Sequence, residues 1–66
     1  MSSGLVEEAY RRYGLRCHRG TTYLATFRAV AGAYPDMEPS ALLADLSATT
    51  PGEEGKWFAA AKEAGL

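Results

Sequence analysis

The stretch with the most reactive residue types is Arg16-Cys17-His18-Arg19. Flanking arginines can lower a thiol pKa and favour thiolate, and a neighbouring imidazole can serve as its base. However, adjacent side chains in an extended segment point in opposite directions. No third residue is evident to orient the imidazole. The segment therefore reads as a loop cysteine packed at a helix junction, beside a surface or N-terminal histidine. Catalysis and metal binding are not expected here. One cysteine and one histidine fall short of a four-ligand zinc site, and a lone cysteine cannot form an internal disulfide.

Gly52-Glu53-Glu54-Gly55-Lys56-Trp57 has some features of a phosphate loop but fails the test. That motif needs four residues between its glycines and Ser or Thr after the lysine. Two glutamates in the loop would also repel phosphate. The segment reads instead as a helix N-terminus, with acids complementing the dipole.

A third pattern mixes arginine and tyrosine. Tyr10, Arg11, Arg12, Tyr13, Arg16, His18, Arg19, Tyr23 and Arg28 could offer phosphate contacts and stacking. Yet Glu7 precedes Arg11 by four residues and Glu8 precedes Arg12 by four. That is the favourable order for helical ion pairs. The three tyrosines fall on apolar stripes, and the sequence pI is about 5.7, whereas nucleic-acid modules are usually basic. A helix-turn-helix reading of the last two helices fits no better, because the recognition helix would open with Glu53 and Glu54. Nucleic-acid binding through Arg16, Arg19 and Arg28 is thus the alternative function.

Trp57 and Phe58 are neighbours. Successive residues on a helix are about 100° apart, so one can enter a core while the other lies at its edge. An aromatic at such an edge suits a protein partner.

Helices are the elements that must carry these residues. Leu5, Val6, Ala9, Tyr10 and Tyr13 share one helical face. Ser2 or Ser3 can cap its start, and Gly14 is a plausible stop. Residues 14–20 form a basic connector. Thr21 or Thr22 then caps a second helix, on which Tyr23, Leu24, Phe27, Val30, Ala31 and Tyr34 recur at steps of three and four. Pro35 ends it, since the residue before proline resists the α conformation. Pro39 suits the first turn of a third helix, with Leu42, Leu43 and Leu46 as its stripe. Thr50-Pro51-Gly52-Glu53 fits a capping box opening a fourth helix. Gly65 suits its end, with Leu66 placed to contact Ala61.

Two segments resemble parts of uncharacterised helical proteins from proteobacteria. They are residues 13–23, Tyr-Gly-Leu-Arg-Cys-His-Arg-Gly-Thr-Thr-Tyr, and residues 50–62, Thr-Pro-Gly-Glu-Glu-Gly-Lys-Trp-Phe-Ala-Ala-Ala-Lys. Together they cover under half of the chain. The resemblance implies that further helices follow a segment like residues 61–66, and that the chain is part of something longer. It brings no known activity or catalytic residues. The fourth helix also resembles the first helix of a tetratricopeptide-type unit, but is about one turn shorter than that pattern.

The chain has 66 residues, 47% of them apolar, and a net charge of −1. That allows one small domain with a thin core. The charge is polarised: residues 1–33 carry +3 and residues 34–66 carry −4, an arrangement that can steer an acidic partner or pair two copies. No signal peptide or membrane span is visible, and a single cysteine suits the cytoplasm.

The expected fold is all-α, a single domain of four short helices near 4–13, 22–34, 39–48 and 51–64. Its expected core is Leu5, Tyr10, Leu24, Phe27, Val30, Leu42, Leu43, Leu46, Trp57 and Phe58. The expected function is non-catalytic: a protein–protein interaction or self-association module, with no cofactor and no metal. Its partner would be another protein or a second copy. The interaction residues expected for it are Trp57, Phe58, Arg16, Arg19 and Arg28.

Overall fold

A computed structural model describes residues 3–17, 20–49 and 51–65. Four α-helices follow in order: α1 (Ser3–Arg12), α2 (Tyr23–Ala33), α3 (Pro39–Thr49) and α4 (Glu54–Glu63). Among the described residues there is no strand. The protein is a small all-α bundle. Helices α2 and α3 touch each other, and both pack against α1 and α4.

Local signals set most of the helix ends. Gly14 takes φ +68°, a left-handed conformation that stops α1 at no steric cost. Its amide donates to the Arg11 carbonyl, and the Leu15 amide donates to the Tyr10 carbonyl. This pair of bonds is a Schellman ending. The Thr22 hydroxyl accepts from the Ala25 amide at 3.1 Å, capping α2. Helix α2 ends at Ala33, ahead of Pro35. Pro39 is the first residue of α3, and the Glu38 carbonyl accepts from the Ala41 and Leu42 amides.

The start of α4 differs from the capping-box expectation. Gly52 lies at φ +91°, which is incompatible with a right-handed helix, so α4 begins at Glu54 rather than near residue 51. Glu53 is itself the N-cap and its side chain makes no cap hydrogen bond. Thr50 and the Leu66 contact both lie outside the described residues.

The buried core joins all four helices: Val6, Ala9 and Tyr10 from α1, Phe27 and Val30 from α2, Leu42 and Leu46 from α3, and Trp57, Ala60 and Ala61 from α4. Trp57 and Phe27 are its largest fully buried side chains, and burying a large apolar side chain contributes about 1.5–3 kcal/mol. Thr26 is also fully buried. Its hydroxyl donates to the Thr22 carbonyl at 2.8 Å, which offsets the cost of desolvating it.

Four expected core positions are corrected. Leu24 and Leu43 pack against the core but stay half-buried, and so does Leu5. Phe58 is 62% exposed. The reason is the direction of α4. Its inward row is Trp57, Ala60 and Ala61, at i, i+3 and i+4, which turns Phe58 out by about 100°.

Candidate functional site

Three clusters of side chains stand out beyond the core. The first binds α1, α3 and the end of α2. The Arg12 guanidinium grips Asp45 with two bonds, from Nη2 to Oδ1 at 2.9 Å and from Nε to Oδ2 at 3.3 Å. The Tyr13 hydroxyl donates to the same carboxylate. The Tyr34 hydroxyl donates to the Tyr13 carbonyl at 3.0 Å, and the two rings meet edge to face at 5.2 Å. Burial, and then the neighbouring Asp45 charge, hold the Tyr13 phenol well above its ordinary range. The Tyr13 hydrogen bond, then Arg12, hold the Asp45 carboxyl below its ordinary range against partial desolvation. A bidentate guanidinium–carboxylate pair is geometrically specific. Here it clips helices together.

The second cluster braces the start of α4 against α2. The Tyr23 ring meets Trp57 edge to face at 4.6 Å. Its hydroxyl donates to Glu53 Oε1 at 3.2 Å. Lys56 Nζ lies 3.0 Å from that same oxygen and 5.6 Å from the Tyr23 ring centre. Lys56, and then Tyr23, stabilise the ionised Glu53 and hold its pKa down. Burial, then Glu53, push the Tyr23 phenol up.

Neither cluster follows from local spacing. The i, i+4 spacing predicts Glu8 as the partner of Arg12, whereas the guanidinium reaches across to Asp45. The capping-box spacing predicts Thr50 as the partner of Glu53, whereas the carboxylate turns toward Tyr23 and Lys56. A signal existed for Asp45. It lies beside Leu46 and three residues after Leu42, both buried, so it had to sit at the rim of the apolar face.

The third feature is an apolar groove of about 550 Å³ between α3 and α4. Pro39, Ser40, Leu43, Phe58, Ala61 and Lys62 line it. Its volume lies within the range of ligand-sized pockets, but its lining is apolar apart from the Ser40 hydroxyl and the Lys62 ammonium. What it offers is mainly apolar contact area.

The expected interaction residues are not brought together. Trp57 is fully buried, so it presents no surface to a partner and supports α4 from within. Phe58 is exposed and lines the groove. Arg16, in the connector, and Arg28, on α2, are both exposed. Arg19 lies outside the described residues, as does His18. Cys17 is half-buried, with Sγ 4.0 Å from the Thr21 hydroxyl oxygen. Among the described residues, no three His, Cys, Asp or Glu side chains are placed to hold a metal ion. Among them also, no helix is long and apolar enough to cross a membrane.

No protein-family model matches the chain, and neither a curated protein nor a solved structure matches it.

Proposed function

We propose that this chain is a non-catalytic protein–protein interaction module that docks through the α3/α4 groove. One observation carries the reading: Phe58 stands 62% exposed at the rim of an apolar groove, while its neighbour Trp57 is fully buried. An exposed aromatic beside an apolar concavity is the kind of anchor on which interface energy concentrates. Half-buried Leu43 extends the same patch. A domain of this size gains much by covering such a surface. The cytoplasmic location suggested by the single cysteine is part of the same proposal, as is membership among helical bacterial proteins.

Photo-crosslinking tests it. A photoreactive phenylalanine analogue at position 58 should give a protein adduct in cells. The adduct should form again from purified components and disappear with Leu43→Asp. No adduct in either setting overturns the reading. The nucleic-acid alternative is separated by binding to DNA and RNA at low salt, where the phosphate contribution is strongest. Retention there, lost with Arg16→Ala and Arg28→Ala, would favour that alternative.

A further inference from the structure

The outer surface of α4 carries a row with an unusual symmetry. Glu54, Phe58 and Lys62 stand at i, i+4 and i+8, and all three are exposed. Residues so spaced form one of the helix's surface ridges. Each step rises about 6 Å along the axis. The row therefore reads negative, aromatic, positive. Among the described residues, neither Glu54 nor Lys62 takes part in an ion pair; those formed are Arg12–Asp45 and Lys56–Glu53. The other lysine of α4 is thus matched by Glu53, whereas the two charges of this row form no ion pair among the described residues.

Turning such a row end over end exchanges its charges. A twofold axis through Phe58 sets the negative end of one row against the positive end of the other, twice. Twofold pairs are the commonest protein assemblies, and their interfaces must be self-complementary. The packing of helices permits it. When i±4 ridges of two helices interdigitate, the axes cross at about −50° and the ridges run side by side. The row beside Phe58 helps: Gly55 and Ala59 are exposed, and nothing lies within 4 Å of where a Gly55 side chain would begin. A second backbone can approach closely there. Phe58 and Lys62 also line the α3/α4 groove, so the second copy's ring has an apolar surface to cover.

We propose that two copies of this chain pair head to tail through α4, Glu54 of each against Lys62 of the other, with the two Phe58 rings between them. This rests on the groove being a docking face, and it names a second copy as the occupant. A parallel arrangement would set like charges together, which costs affinity. A foreign helix of uniform charge would satisfy only one end of the row.

The experiment is sedimentation equilibrium of the 66-residue chain at low salt, from micromolar to millimolar concentration. The expected result is a reversible dimer whose affinity falls with salt. Glu54→Lys and Lys62→Glu should each weaken it by about tenfold, since each turns both attractive contacts into repulsive ones. An equimolar mixture of these two variants should associate again, because all its contacts are of opposite charge. Phe58→Ser should abolish pairing. Both charge reversals oppose the α4 dipole, so circular dichroism of each variant accompanies the measurement. If a reversal loosens the helix, Glu54→Gln and Lys62→Gln replace it and should each weaken pairing by a smaller factor. A wild-type chain that stays monomeric overturns self-pairing. So does a mixture of folded reversal variants that associates no better than either alone. If the wild type is monomeric while position 58 crosslinks to a different protein, self-pairing fails and the docking face stands. If position 58 crosslinks to nothing, both fail.

Discussion

The two sides of α4 teach different lessons from the same ten residues. Its inward row, Trp57, Ala60 and Ala61, is buried against α2 and α3. Its outward row, Glu54, Phe58 and Lys62, meets solvent. The inner row pairs one very large side chain with two very small ones, so α4 can lie close to α2 and α3. The outer row holds an aromatic that the chain's own fold does not cover. The covered and uncovered faces of α4 are thus separated by one residue step in sequence and about 100° around the helix.

The comparison can be broken most severely at Trp57. Trp57→Ala should cost about 3–5 kcal/mol, which is comparable with the whole stability of a small domain. A chemical denaturation series should show the variant mostly unfolded. A midpoint close to wild type would refute the assignment of Trp57 to the core. Next is the Asp45 clip. Tyr13→Phe removes a bond to a charged, partly exposed carboxylate and should cost about 1 kcal/mol. The same denaturation measurement checks it.

Acid should act on both side-chain clusters, the Asp45 clip and the Glu53 brace. The folded pKa values of Asp45 and Glu53 lie below their ordinary ones. Their stabilisation is therefore complete above the unfolded carboxylate range and is lost as pH falls through the depressed folded values. For Tyr13 and Tyr23 the folded pKa is raised. Their contribution is complete below the ordinary phenol range and is lost as pH rises through the elevated values. Thermal melts should then show a plateau from about pH 5 to 9 with a fall on each side. A midpoint that climbs on acidification would contradict the clip.

The smallest effect should come from Phe58. Phe58→Ser changes an exposed position and should leave monomer stability within about 0.5 kcal/mol of wild type. If it unfolds the chain, the two rows of α4 are not separable as described.

Much of this architecture was legible because its signals are local. Gly14, Thr22, Pro35 and Pro39 each act within one turn, and each stands where its chemistry places it. The failures were of two kinds. At residues 50–53 a local motif competed with a left-handed Gly52, whose conformation sequence alone does not declare. At Asp45, Leu24 and Leu43 the outcome depended on helices more than a dozen residues away. The exposure of Phe58 was partly readable. Adjacent residues lie about 100° apart, so one of two neighbouring aromatics can turn outward, but the choice between them turned on Ala60 and Ala61. Alanines carry little hydrophobic signal and read as neutral on either side. The groove needed α3 and α4 in place before it existed at all.

The position of Trp57 has an optical consequence. It is the sole tryptophan of the chain, fully buried, with its ring edge-on to Tyr23. Its emission therefore registers whether α2, α3 and α4 are assembled, since separating them would admit water to the indole. An event confined to the outer row leaves that environment intact, and phenylalanine itself emits little. Folding is thus visible in the native fluorescence of this protein, while the docking proposed at Phe58 would be silent in it and would have to be followed by mass or by an added label.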